Sequence, residues 1–431
     1  MANGLIIGAP RSGSGKTTVT LGLLGALRAR GLTVAPAKTG PDYIDRTILA
    51  RAAGSEAINL DSWAMRPERL RALAAGHAAD ADLLVIEGVM GLFDGAVDGT
   101  GSTGDLAAAL KLPVILVVDA ERQGQSIAAL VQGFAFFRPD VEVAGVIVNR
   151  VATTRHERML RLALEPLRIP VLGVLPRRDA LGLPERHLGL VLPDEVAAFD
   201  SVLAAAADAV ENFVDINLLL ALSSAIAQPD VMEPTQRLPP LGQRIAIARD
   251  EAFAFLYPHW LEDWRAQGAE LSFFSPLADQ SAKMNSNAVF LPGGYPELHG
   301  AAMAAASVFR QGLIAARENG ALIYGECGGY MALGESLTDK AGVTHRMAGL
   351  LPISTDISRP RRTLGYRRLT QSGALPWPQK LLGHEFHYSS GRDTGSSPLF
   401  TATDAAGEPV APMGSVVGRV MGSYAHVIDV A

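Results

Sequence analysis

GLIIGAPRSGSGKTTVTLGLL, residues 4–24, is the stretch that settles how this chain folds. Residues 5–8 read as a short buried strand, a Gly/Ser-rich loop follows, and residues 17–30 carry helical periodicity. A strand that turns through such a loop into a helix presents backbone N–H groups at the helix N-terminus, where anions bind. Gly13 and Gly15 allow the tight backbone, Lys16 can set a point charge against β- and γ-phosphates, and Thr17, with Thr18 beside it, can offer a hydroxyl to Mg²⁺. The spacing is a variant: counting back from Gly15, the first glycine of the common phosphate loop falls on Pro10, and the glycine stands at Gly8 instead. The order strand, loop, helix carries the reading and predicts a nucleoside triphosphate site.

Outward from this loop, apolar runs recur at residues 34–37, 83–87, 114–118, 143–148 and 171–174, most of them separated by helical patterns such as 125–137. Continuous Val/Ile/Leu strands alternating with helices predict a parallel sheet covered on both faces. In such a sheet the strand ends face the ligand crevice. Acids there are candidates for the metal that accompanies phosphates. VIEGVMGLFDG (85–95) ends a strand with Glu87 and places Asp94 in a glycine-rich turn. KTGPDYID (38–45) brings Asp42, Tyr43 and Asp45 to the end of the second strand. Glu87 is the best candidate for Mg²⁺ because it terminates an apolar strand directly, and Asp42 is the second. Any one of these acids could instead be an ordinary loop carboxylate. Asn149, ending VAGVIVNR, is placed to read an adenine edge.

A length of 431 residues allows two or three domains with substantial cores. The hydrophobic content of 48% and charged content of 19% are ordinary for a globular chain. A net charge of −6 argues against a nucleic-acid partner while leaving room for a local basic site. Apolar runs such as LPVILVV are too short to span a bilayer. MANGLIIGAP lacks the basic start of a signal peptide, and one cysteine permits no intrachain disulfide. These features predict a cytoplasmic protein with no nucleic-acid or membrane partner. Residues 193–227, rich in Ala and Leu, read as helical, and QPDVMEPTQRLPPLGQR (228–244) carries four prolines and reads as a linker. The α/β pattern then restarts at 245–248, 289–291 and 322–324. The expected division is 1–192, a helical segment and linker at 193–243, and 244–431.

The lone cysteine, Cys327, lies in LIYGECGGYMALGESL (322–337). An apolar strand at 321–324 leads through Gly325, Gly328 and Gly329 into helical periodicity at 331–337. A thiol at such an elbow sits near a helix N-terminus, where the dipole favours thiolate. A lone cysteine is otherwise a small buried hydrophobe; what reverses that reading is its partners. FLPGGYPE ends a strand with Gly293 and Gly294, whose N–H groups, with that of Gly328, could face a tetrahedral oxyanion. GSYAHVID offers His426 as the base.

In this order the pieces resemble a class I glutamine amidotransferase domain spanning 244 to 431. That family places an acid two residues after its histidine. Here Ile428 stands there and Asp429 comes one later, so the resemblance implies a Cys327–His426 dyad. Across nearly the whole chain, the variant loop, KTGPDYID, EGVMGLFDG, LPGGYPE, ECGGYM and GHEFHYS follow the order of the cobyrinic or hydrogenobyrinic acid a,c-diamide synthases. The first half is also similar to dethiobiotin synthetase, which has no glutaminase half. The implied fold is a P-loop doubly wound parallel-sheet domain followed by a class I amidotransferase α/β domain. The implied chemistry releases ammonia from glutamine at Cys327, phosphorylates a substrate carboxylate with Mg-ATP, and lets ammonia displace the phosphate. ATP and Mg²⁺ are the implied cofactors, and a corrinoid polycarboxylate, glutamine and ATP the partners. The oligomeric state is left open, a homodimer being one form.

Corrinoid contacts are expected from Tyr43, Asp45 and Asp94, and from SRPRRTLGYRRL (358–369), whose five arginines include Arg361 and Arg362. Guanidinium groups pair bidentately with carboxylates; a solvated basic loop is the other reading. GHEFHYS alternates as a strand does, which sets Glu385 and His387 opposite Phe386. His384, Glu385 and His387 are too few for a metal site on their own, and the resemblance implies corrinoid contact. Two other readings stand beside this one: amidation of another corrinoid carboxylate, or a regulatory P-loop ATPase with a degenerate glutaminase tail.

Overall fold

The computed structural model describes residues 2–177, 185–186, 189–190, 199–227 and 236–431. The chain divides into two compact units, Met1–Thr235 and Gln236–Ala431. Part of the expected linker (228–235) and of the expected helical segment (193–198) lies outside the described residues.

The first unit is built on β1 (Asn3–Gly8), β2 (Val34–Thr39), β3 (Ile58–Leu60), β4 (Leu83–Glu87), β5 (Val114–Asp119), β6 (Val143–Val151) and β7 (Val171–Pro176). They pair in parallel in the order β3-β2-β4-β1-β5-β6-β7, and Ser224–Ala225 adds antiparallel to the start of β1. Leu5, Ile6, Ile7, Leu84, Val85, Ile86 and Val114–Val118 are buried on both faces, which is why these strands show no polar alternation. Every expected strand forms. Within this sheet β3 and the short Ser224–Ala225 pairing go beyond the expectation, as does a separate two-residue pairing of Glu185–Arg186 with Gly189–Leu190, and none is long enough to show a period.

The helix α1 (Lys16–Ala29) starts at Gly15, whose φ of 91° is left-handed. It packs against Phe199–Phe213 at two glycines: a β-carbon on Gly22 would stand 2.5 Å from the Ala206 carbonyl oxygen, and one on Gly25 2.9 Å from Cβ of Ala207. The helix read as lying outside the nucleotide domain is therefore packed onto it. Because β4 and β5 flank β1 on opposite sides, the sheet has a switch point there, and its crevice opens at the strand ends Gly8, Thr39, Glu87 and Asp119.

The second unit carries a six-stranded sheet. Glu270–Phe274, Arg244–Ala248, Ala288–Leu291, Leu322–Glu326 and Val420–Ser423 run parallel in that order, and Ser415–Val417 closes the edge antiparallel. An antiparallel five-stranded sheet orders Pro409–Met413, Phe400–Asp404, Thr363–Gln371, Lys380–His387 and Ala425–Val430. A smaller four-stranded sheet includes Ser336–Thr338 and Ile353–Asp356. The expected helix over 331–337 is corrected: the helix is Gly328–Leu333, Gly334 ends it, and Ser336–Thr338 is a strand. Among the described residues, no helix is long and apolar enough to cross a membrane.

Candidate functional site

In the first unit the phosphate loop is held by its neighbours. Gly13 and Gly15 have φ of 78° and 91°, conformations open to glycine. A β-carbon on Gly15 would lie 2.1 Å from Nδ2 of Asn149, which donates to the Ser14 carbonyl at 3.0 Å. The other end of that amide, Oδ1, accepts from the Arg150 N–H. Asn149 is thus engaged in shaping the loop. Arg150 adds a bond to the Gly13 carbonyl at 2.8 Å and pairs with Asp119 at 2.8 Å.

At the other end of the loop Lys16 donates to the Met90 carbonyl. Burial, then the charge of Lys38, lowers its pKa to about 8. The Thr17 hydroxyl donates to Oε1 of Glu87 at 2.7 Å, and the same oxygen takes Lys38 Nζ at 2.9 Å. Lys38 also pairs with Asp45. Glu87 is fully buried, and burial raises its pKa even against Lys38. Its Oε2 is buried with no hydrogen-bond partner. An orphaned carboxylate oxygen beside a threonine hydroxyl at a helix N-terminus fits Mg²⁺, which takes one or two carboxylates and completes its shell with water and phosphate. Among the described residues no group of three or more His, Cys, Asp or Glu could hold a metal by itself. Lys38 went unnoticed in the sequence because it closes an apolar run just ahead of the acids that attracted attention.

The other expected residues of this unit take different parts. Asp42 caps the helix Tyr43–Ala53, its Oδ1 accepting from the Ile44 and Asp45 N–H groups at 3.0 Å, so the expected metal ligand is a helix cap. Burial, then the Asp45 charge, raises it to about 7. Tyr43 is 5% exposed and belongs to the core. Oδ2 of Asp94 accepts from the Gly91 N–H at 2.9 Å and closes its own turn. Thr18 is half-buried in the first turn of α1.

In the second unit Cys327 joins the strand Leu322–Glu326 to the helix Gly328–Leu333 at φ 46° and ψ −106°. A β-branched or bulky residue rarely tolerates this geometry, and strained backbone gathers where function requires it. The Cys327 N–H donates to the Ser423 carbonyl at 2.8 Å. The surrounding glycines are sterically required. A β-carbon on Gly329 would meet the Leu291 carbonyl oxygen at 1.9 Å, and one on Gly328 would meet the Gly294 nitrogen at 3.0 Å. A β-carbon on Gly293 would stand 2.3 Å from Cε1 of His426. Gly293, Gly294, Gly328, Cys327 and His426 are therefore gathered in one place.

The thiol is 3% exposed, and burial, then Glu297, raises its pKa against the Gly328 N–H. Burial thus works against the helix dipole that was expected to favour thiolate, and the sulfur requires a base. Glu297 itself is pushed up to about 7 by burial, and its Oε2 has no hydrogen-bond partner. His426 lies opposite His384 in the register of paired strands, with rings stacked at 4.9 Å. Burial, then His384 and His387, lowers its pKa well below the usual value, so its imidazole is neutral and able to accept a proton. The acid beside it is Glu326, with Oε2 3.8 Å from Nδ1. Ile428 is buried and its carbonyl takes the Trp260 indole N–H, and Oδ1 of Asp429 accepts from the Val430 N–H.

His384, Glu385 and His387 are buried here as well. Burial lowers His384 to about 3. Glu385 binds Arg367 at 2.7 Å and lies 3.4 Å from His387, which stacks on Tyr424 at 4.4 Å and bonds to Ser389. Burial opposes the charge on Glu385, but His387 and Arg367 outweigh it and hold its pKa below the ordinary range. Of the five arginines, Arg367 is thus internal, while Arg361 and Arg362 are exposed.

Residues 244–429 match the CobB/CobQ-like glutamine amidotransferase domain, and residues 5–191 match the CobQ/CobB/MinD/ParA nucleotide binding domain. The chain is 55% identical over 428 residues to a hydrogenobyrinate a,c-diamide synthase of Brucella abortus biovar 1, covering 99% of this chain and 98% of that one. Synthases with the same name from a Sinorhizobium species and from Rhodobacter capsulatus are 51% and 50% identical. Those matches cover 100% and 99% of this chain, and 99% and 98% of theirs.

Proposed function

The chain belongs to the hydrogenobyrinate a,c-diamide synthase family, and on that premise we propose that it amidates the a and c side-chain carboxylates of hydrogenobyrinic acid in the cytoplasm, using ATP and glutamine. It is a glutamine-dependent carbon–nitrogen ligase, so the regulatory ATPase with a degenerate tail is set aside. The observation that carries the site assignment is the Cys327 elbow, with His426 and the Gly294 and Gly328 backbone gathered around it.

In this reading His426 takes the thiol proton as the sulfur attacks the glutamine side-chain amide. The N–H groups of Gly294 and Gly328 stabilise the oxyanion. Collapse expels ammonia and leaves a thioester, which water hydrolyses to glutamate. In the nucleotide unit Lys16 neutralises charge on the β- and γ-phosphates and the loop N–H groups orient them, since phosphoryl transfer is mainly positioning and electrostatics. Glu87 through Oε2 and Thr17 through its hydroxyl would hold Mg²⁺, which neutralises phosphate charge when bound. Lys38, already between Glu87 and Asp45, is placed to hold the anionic acceptor near the transferred group. The acyl phosphate has the leaving group that a carboxylate lacks, and ammonia displaces it to give the amide. Exposed Arg361 and Arg362 are retained as corrinoid contacts.

Cys327→Ser should lose glutamine-dependent amidation and keep amidation driven by added ammonium. Lys16→Ala should lose both. If ammonium-driven synthesis vanishes in folded Cys327→Ser, or persists in Lys16→Ala, the two-site scheme fails.

A further inference from the structure

We propose that Glu326, the residue directly before the nucleophile, is the acid that positions His426, so that this chain draws its triad acid from the nucleophile's own strand. The proposal rests on Cys327 and His426 being the glutaminase pair. One edge of the Glu326 carboxylate is fixed: Oε1 accepts the Tyr324 hydroxyl at 2.9 Å and the Val427 N–H at 3.0 Å. The other oxygen, Oε2, lies 3.8 Å from Nδ1 of His426, and both side chains are no more than 2% exposed.

Backbone register produces this encounter. Leu322–Glu326 pairs with Val420–Ser423 up to Glu326 opposite Ser423, and the Cys327 N–H adds a bond to the Ser423 carbonyl. The chain then turns through Tyr424 and Ala425 to His426, and the next N–H, that of Val427, returns to the same carboxylate. Two of the other nearby acids are engaged elsewhere, and Glu297 acts on the thiol, whose pKa it raises. Asp429 accepts from the Val430 N–H, and Glu385 is held by Arg367 and His387. His384 and His387, the further titratable neighbours of His426, supply no anion.

Burial raises the Glu326 pKa to about 8, so the acting form is the carboxylate present above that: at Nδ1 it keeps the imidazole proton on that nitrogen and leaves Nε2 to accept the thiol proton. The sulfur–hydrogen bond breaks as the sulfur–carbon bond forms, and the proton passes from Nε2 to the departing ammonia. The carboxylate offsets the imidazolium charge meanwhile. The gap of 3.8 Å exceeds a hydrogen bond. Such contacts are often long without substrate and tighten in the complex.

The test is Glu326→Gln. The amide oxygen can still accept from Tyr324 and Val427, so the fold keeps its bonds, while the NH₂ faces Nδ1 and favours the wrong tautomer. Glutamine-dependent kcat should fall by about 10²- to 10⁴-fold with KM for glutamine within about twofold. Ammonium-driven synthesis should be unchanged. Above pH 8, nitrogen NMR of His426 should show its proton moved from Nδ1 in the unaltered chain to Nε2 in the variant, and iodoacetamide should alkylate Cys327, the only thiol, more slowly. Glu326→Asp should recover part of the rate, and Asp429→Asn should match the unaltered chain. Wild-type glutamine turnover in Glu326→Gln, or the tautomer switch in Asp429→Asn, would overturn the proposal. If Cys327→Ser loses glutamine-dependent activity while Glu326→Gln keeps it, only the Glu326 role falls; if Cys327→Ser keeps it, the underlying reading falls as well.

Discussion

A β-carbon at Gly293 would stand 2.3 Å from Cε1 of His426 and about an ångström further from both ring nitrogens, at 3.2 and 3.3 Å. Gly293→Ala therefore has one way to fit, which is to displace the imidazole. Misplacing a catalytic group by about 1 Å can cost about 10²-fold in rate. Gly293→Ala should accordingly lose about 10²-fold or more of glutamine-dependent turnover while ammonium-driven synthesis persists; parallel assays with the two nitrogen sources check this. At this scale the sequence was informative where chemistry demands a rare residue in a fixed setting. Cys327 between glycines, paired glycines after a strand, and a late histidine could all be found that way. Glu326 could not, because a carboxylate inside an apolar run reads as part of the strand, and its link to His426 is set by the pairing of Leu322–Glu326 with Val420–Ser423. Lys38 was overlooked for the same reason.

The element that decides nucleotide binding is α1 with the loop before it. Lys16 stands at its first position, buried beside a second cation, with its pKa lowered to about 8. Triphosphate beside that ammonium would raise its pKa, so binding should take up a proton where free Lys16 has begun to lose one. The sign follows: affinity for Mg-ATP is full below about pH 8 and declines as pH rises above it. Calorimetric titrations across that range, in buffers of different ionisation heat, should show both the decline and the proton uptake; affinity that rises with pH would contradict it. Asp42→Ala probes the next helix, where loss of the cap should cost about 1 kcal/mol of stability, measured by denaturant unfolding. Buried parallel strands were legible because they are continuous apolar runs. The antiparallel strands of the second unit are partly exposed and interrupted by charge, as in Thr363–Gln371, and their pairing is a long-range property. The helix expected over 331–337 failed at Gly334, where apolar periodicity continued through a residue that ends the helix.

Across the whole molecule, both units bury acids whose protons are held too tightly and imidazoles that stay neutral, and this sets the pH dependence of stability. Folded, Asp42 and Glu297 hold their protons to about 7 and Glu326 to about 8, against ordinary values of 3.8 for aspartate and 4.5 for glutamate. His77, His384 and His426 are all shifted below 6.5. Between pH 4.5 and 6.5 the two sets oppose each other, since the folded state retains carboxyl protons while the unfolded chain gains imidazole protons. Above 6.5 the unfolded chain sheds its imidazole protons as well, and the acids outweigh both that remainder and Lys16, whose pKa lowered to about 8 works the other way. The folded chain then holds protons that the unfolded chain has released, so stability falls as pH rises from 6.5 to about 8. Asp42 lies in the first unit and Glu297 and Glu326 in the second, so both should weaken in the same direction even if they unfold in separate steps. Thermal unfolding of the ligand-free chain should show midpoints that decline across that interval, and Glu326→Gln, which removes one of the retained protons, should flatten the decline for the second unit. Midpoints that climb from pH 6.5 to 8 would mean that these carboxyl groups are ionised in the folded protein, and that the balance between buried acids and buried imidazoles runs the other way.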